Sequence, residues 1–446
     1  MDTLENRLQK RMHVSLFALL FLTILLGISV ILEGCTDKCE IRSEYVYFEP
    51  VYTTVEELRA SIELTEPHPI EQVGKIYIKD NLLFVNEPGE GIHIINNQDP
   101  SNPQPIRFLK IPGNYELAIK DNTLYADSYI DVVAFDISNP NSISETGRLE
   151  GIFRNYQSFG RDTEVECCVI TDWKESRHVM LGDTDCNLPL QPWGGVYYES
   201  GIAVRMDLAA NFSSKTAVAP GSGSGPGVGG SLARFTINGD RLYMLDGADL
   251  QVADISSGNP VAGRRSPVAW DIETIFPYKN YLFIGASSGM HIIDVSSPDD
   301  PTILSTYSHL RSCDPVVVDD QYAYVTLRTG TFCTGTTNQL EVIDISNLRE
   351  PTLVSVYPMT NPHGLGIDDN TLFVCDGPAG LKAFDAGDVS AIDQNLLAHY
   401  EDIDARDVIP YNNVLIMIGH DGLFQYDYSN PKDIRLLSKI PVMNVN

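Results

Sequence analysis

Leu340-Glu341-Val342-Ile343-Asp344-Ile345-Ser346-Asn347 is a short β-rich run that ends on an acidic residue and breaks into a polar turn. The same phrase returns along the chain. Aligned on the residue that closes the apolar run, it falls at Asn96, Asp136, Asp254, Asp294, Asp344, Asp385 and Asp427, with spacings of 40, 118, 40, 50, 41 and 42. Each copy sits in a larger unit. An alternating stretch such as Lys75-Ile76-Tyr77-Ile78 meets an Asp-Asn turn, then Leu82-Leu83-Phe84-Val85, a glycine loop, Gly91-Ile92-His93-Ile94-Ile95, and after an Asn-Pro turn Ile106-Arg107-Phe108-Leu109. Short β-rich runs punctuated by Gly, Asn, Asp and Pro are strand and hairpin signals. Four strands in roughly 40 to 45 residues is the length of a propeller blade.

Seven units are counted on the second strand: Leu83-Phe84, Leu124-Tyr125, Leu242-Tyr243, Leu282-Phe283, Ala323-Tyr324, Leu372-Phe373 and Leu415-Ile416. One blade cannot bury both faces of its sheet, whereas a closed ring buries each against its neighbours. The expected fold is therefore all-β, a seven-bladed β-propeller of four-stranded blades over residues 73–443, with a long insertion between blades 2 and 3 at about 151–230. The Asp-Ile-Ser-Asn-Pro turn reads as turn chemistry, because Asp and Ser side chains accept backbone N–H groups two residues on.

The three phrases Leu340 to Asn347, His291-Ile292-Ile293-Asp294-Val295-Ser296 and Leu250-Gln251-Val252-Ala253-Asp254-Ile255-Ser256 resemble the LVIVD repeat, and the resemblance extends over all seven units. It implies a β-propeller lipoprotein on a bacterial surface or in the periplasm, of the kind found in Bacteroidetes-like organisms. It implies no particular activity.

Before the repeats, Arg7, Lys10 and Arg11 precede an apolar or small-polar run from Val14 to Leu32 and then Glu33-Gly34-Cys35. A basic segment followed by an apolar one is an export signal. Leu32-Glu33-Gly34-Cys35 resembles a lipobox with Cys35 as the lipidated residue, although Glu33 departs from that pattern; the run of 19 residues is also long enough for an uncleaved anchor. Residues 1–35 are thus expected to be a lipoprotein signal peptide or membrane anchor that places the body in the cell envelope, as an outer-membrane lipoprotein facing the periplasm or the cell surface. Residues 36–72 are expected to be a tether, with a strand over Glu44 to Tyr52 that either latches the ring to its last blade or packs beneath it. Thr54 and Glu57 form a helix-start pair.

The net charge of −29 argues against nucleic acid, which needs clustered Lys and Arg. Export permits disulfides. Cys313, before the first strand of unit five, and Cys333, in its enlarged second loop, are expected on the same face and form one candidate pair; Cys186 with Cys167 or Cys168 forms another. Metalloprotease and phosphate-loop motifs are absent. The ends of the first and second strands would ring the channel mouth with carboxylates, so Glu116, Glu273, Asp314, Asp376 and Asp421 are candidate ligands for a calcium-type cation. Trp193, Tyr197, Tyr198, His363 and His420 are candidate ligand-binding residues. The function expected is a non-catalytic platform that binds an envelope protein or glycan. The alternative is a metal-assisted hydrolase or lactonase-like enzyme using the acidic rim.

Overall fold

The hairpins expected from the turn signals all form. The structure is a computed structural model that describes residues 38–153, 168–185, 228–308, 315–329 and 337–443, besides Thr23. Its repeats make seven antiparallel sheets, which are blades 1 to 7 in chain order, each with its four strands in sequence order from the inside outward. The four-strand sets run from Ile76–Lys79 to Gln104–Lys110 in blade 1, from Leu117–Lys120 to Ser144–Leu149 in blade 2, and from Phe235–Asn238 to Val261–Pro267 in blade 3. Blades 4 to 7 end on Thr302–Ser308, Thr352–Pro358, Leu396–Tyr400 and Arg435–Pro441.

Local chemistry explains each hairpin. The turn between first and second strands holds a residue at positive φ in blade after blade: Asp80, Asp121, Gly239, Lys279, Asp369 and Asn412. Most are Asp, Asn or Gly, which tolerate that region. At the end of the third strand the side chain of Asn96, Asp136, Asp254, Asp294, Asp344, Asp385 or Asp427 accepts the N–H two residues on, at 2.8–3.0 Å. The turn reading of the repeated Asp is therefore correct. Hydrogen bonds from Ser138 and Ser256 hold the Asp136 and Asp254 carboxyls below their ordinary range.

The core lies between blades. The second strand brings a buried large residue to each interface: Phe84, Tyr125, Tyr243, Phe283, Tyr324, Phe373 and Ile416. Burying one such side chain contributes about 1.5–3 kcal/mol. The ring closes between blades 7 and 1, where Ile409, Ile416, Ile418 and Leu423 pack on Ile76, Ile78, Leu83, Val85 and Ile95. There Asn97 and Gln425 exchange two buried amide hydrogen bonds, at 2.8 and 2.7 Å. Ser438 Oγ also donates to Pro100 O at 2.6 Å.

A strand does form within residues 36–72, but it does not latch the ring. Lys38–Thr54 pairs with Cys168–Asp185 of the insertion, and Glu63–Thr65 adds to the outer edge of blade 1. Blade 7 is completed by its own four strands. Between the two added strands lies a helix over Val55–Ala60, closed by the expected capping box of Thr54 and Glu57. Its Leu58 packs on Ile130 and Val169, and Arg59 donates to the buried Asp131 at 2.8 Å. Asp131 also takes Arg148 and the N–H of Gly151, so one carboxylate fixes both the helix and the start of the insertion.

Candidate functional site

One face of the ring, the front face, carries the connections between blades and the loops between second and third strands. On this face the second-strand ends hold the incoming connection of their own blade. Glu87 Oε1 accepts the N–H groups of Glu71 and Gln72, at 2.7 and 3.1 Å. Asp127 Oδ1 accepts from Tyr115 N, Glu116 N and Asn114 Nδ2, at 2.7, 2.8 and 2.8 Å. Asp376 accepts from Thr360 N and Asn361 N and pairs with Lys382 Nζ at 2.6 Å. Blade 4 reverses the polarity, with Ser287 Oγ at the strand end donating to Asp271 of the connection at 2.8 Å. Blade 3 uses Arg265, whose guanidinium joins Asp246 at 2.6 Å to Ile152 O at 2.6 Å. These groups order the loops. Burial pushes the Asp127 carboxyl up to about 7, against the pull of its amide donors.

The channel lies inside the first strands, and near blade 1 it is occupied by the chain itself. Val228–Gly229, at the end of the insertion, pairs with Ile78 and Tyr77 on the inner side of blade 1. The glycine is required at this approach, since a Cβ on Gly229 would meet the Tyr77 ring at 2.9 Å. Beyond it, Ser231 Oγ accepts the N–H of Leu365 in blade 6 at 3.0 Å, and Lys75 Nζ donates to Leu232 O at 2.6 Å. Val228 to Leu232, at the end of the insertion, therefore form a segment spanning the channel from blade 1 to blade 6.

Around it the inner strands alternate in charge. Lys75 and Glu116 form an ion pair at 2.7 Å, and Glu116 Oε2 also accepts Arg234 N at 3.0 Å. Glu273 lies near Arg328, whose guanidinium is lowered to about 10 by burial against the opposing pull of Glu273. The guanidinium keeps its charge at neutral pH.

The candidate residues are thus distributed as follows. Glu116 is buried in its ion pair and Asp376 is buried under its connection. Asp421 is exposed and pairs with His420 at 3.0 Å, which holds its carboxyl below the ordinary range. His363 is buried, with its backbone carbonyl accepting Thr326 Oγ1 at 2.6 Å. Cys168 opens the insertion strand. Cys35, Cys167, Cys186, Cys313, Cys333, Asp314, Trp193, Tyr197 and Tyr198 lie outside the described residues. The sequence reading missed the channel segment, the partners of Glu116, which are the Lys75 ammonium and the backbone N–H of Arg234, and the neighbours of Glu87. The spacing Glu87-Pro88-Gly89-Glu90-Gly91-Ile92-His93 held a usable signal, since a hairpin with Glu87 opposite Gly91 puts Glu87 and His93 diagonally on one side of the sheet.

The LVIVD repeat family model matches residues 272–309 and 311–358, which are blades 4 and 5. No curated protein matches the sequence significantly. Among solved structures, the Pseudomonas aeruginosa periplasmic gluconolactonase is 9% identical, with a TM-score of 0.52 over 82% of this chain and 96% of that one. The computationally designed Ika8 protein is 11% identical, with a TM-score of 0.51 over 85% of this chain and 91% of the design. Likeness at such identity establishes a shared fold and carries no activity across.

Proposed function

We propose that the protein is a lipid-anchored envelope propeller that binds a protein or glycan on its front face without catalysis. The observation that carries this reading is Trp270. It stands in the connection from blade 3 to blade 4 with 69% of its surface exposed, the highest value among the large apolar side chains of the described residues. Trp is enriched among interface anchors, where a broad apolar ring with one polar N–H binds at low entropic cost. The loop beneath it is fixed by the Asp271–Ser287 bond, so the indole is presented from an ordered base. Glu87, Asp127 and Asp376 accept backbone N–H groups of the connections, which favours a rigid surface over a rim that gathers a calcium ion. Attachment through Cys35 would keep this face within reach of other envelope components.

The test is a crosslinked capture from intact cells with the wild type, Trp270→Ala, and a deletion of residues 186–220 that spares the channel segment. Trp270→Ala should lose most of a specific partner or glycan at unchanged melting temperature. Capture of the same material in the same amount by that variant would overturn the reading.

A further inference from the structure

His68, Glu87 and His93 come together on blade 1, with ligand-capable atoms all within 4.8 Å of one another. They arrive from three places: the segment after the outermost strand, the end of the second strand, and the third strand. We infer that they form a divalent transition-metal site of the zinc class, independent of the Trp270 surface.

The chemistry is set by how each group is held. Glu87 has its Oε1 occupied by the two backbone N–H groups of Glu71 and Gln72, so Oε2 is the oxygen turned to the imidazoles. That Oε2 lies 2.8 Å from His93 Nε2 and 4.0 Å from His68 Nε2. In His68 the other ring nitrogen, Nδ1, donates to Pro69 O at 2.9 Å, which leaves the lone pair on Nε2. A histidine whose far nitrogen donates to a backbone carbonyl is the usual support of a metal-bound imidazole. Phe108 packs against both rings, with centroids at 4.3 Å from His68 and 4.7 Å from His93, and so orients them from the fourth strand.

Two imidazole nitrogens and one carboxylate oxygen match the donor set of zinc and related first-row ions, with bonds of about 2.0–2.2 Å and an open position for water or a ligand. Calcium, which takes 6–8 oxygens, is excluded by the two nitrogens. Binding replaces the His93–Glu87 hydrogen bond: the Nε2 proton of the neutral His93 ring passes to solvent while Nδ1 takes one up, so the ring changes tautomer with no net loss of a proton, and His68 moves inward. His68 is the ligand placed to move, since its side chain is 42% exposed while those of Glu87 and His93 are 5% and 3% exposed. Solvent reaches the cluster from the His68 side.

The experiment is a titration of the untagged protein with Co2+, read by visible d–d absorption, and with Zn2+, read by calorimetry and thermal shift. His68→Ala should keep the fold, because the residue lies on an exposed segment. Glu87→Gln retains a carbonyl oxygen for the two amides while removing the charge. Expected are one equivalent bound by the wild type, a loss of at least about tenfold in affinity in each variant, an unchanged His420→Ala control, and no competition by Ca2+. Absence of binding by the wild type, or wild-type affinity in a folded His68→Ala protein, would overturn the site.

Discussion

Blades 1 and 4 are written in the same four-strand phrase, yet they do different work. Blade 4 consists of its four strands alone, whereas blade 1 is a six-stranded sheet, with Val228–Gly229 added inside and Glu63–Thr65 outside. Blade 4 falls within the stretch that the LVIVD family model matches. Blade 1 carries the histidine cluster, one wall of the channel segment and one side of the ring closure. The repeat supplies the ring, and the chain outside the repeat turns one blade into a particular site.

The sharpest way to break that comparison is at a glycine both blades share. Gly289 of blade 4 and Gly91 of blade 1 open their third strands at φ 156° and 152°, and a Cβ on either would meet a fourth-strand carbonyl oxygen at 2.2 Å. Gly289→Ala should cost about 3 kcal/mol or more in denaturant unfolding. Gly91→Ala should match it if blade 1 is held by the same repeat interactions. A clearly smaller loss there would mean that the added strands brace the blade.

A smaller effect is expected at the closure. Where blades 2 to 5 place Ile137, Ile255, Val295 and Ile345 after the turn residue, blade 1 places Asn97, paired with Gln425. Gln425→Leu leaves a buried amide without its partner and should cost about 2 kcal/mol. Adding Asn97→Ile converts the contact to the apolar type and should recover part of the loss; a fully additive double variant would rule out coupling through the pair.

The smallest effect concerns Asp127, whose position in blade 2 is taken by Asn86 in blade 1. Its folded value, raised to about 7 from an ordinary 3.8, means that the native chain binds a proton the unfolded chain has lost between those limits. Its stabilising contribution is complete below about pH 4 and is lost as pH rises through 7. Asp127→Asn keeps an oxygen for the three donors, so the variant should match the wild type near pH 4 and exceed it by on the order of 1–2 kcal/mol at pH 8. Parallel stability curves from pH 4 to 8 would refute the assignment.

Much of this architecture was readable because its rules are local. Turn residues such as Asp80-Asn81 and the Asp344-Ile345-Ser346 phrase act within a few residues, and their period counted the blades. The helix at Val55–Ala60 was likewise written in Thr54 and Glu57. The destination of the strand in residues 36–72 was not, since pairing with Cys168–Asp185 spans more than a hundred residues of sequence. A carboxylate at the end of a second strand reads the same whether it faces solvent, as Asp421 does, or binds a neighbouring loop, as Asp376 does.

By itself the sequence determined the blade, the number of blades and the chemistry of every turn, because hydrogen bonds between neighbouring strands and side-chain caps need only nearby partners. Only the packing of the blades decided that Val228 to Ala233 would cross the channel and that Lys75 would meet Glu116, and only the pairing of Glu63–Thr65 with the edge of blade 1 brought His68 beside Glu87 and His93. Those contacts depend on where distant segments are brought once the sheets have packed, and no periodicity along the chain records that distance.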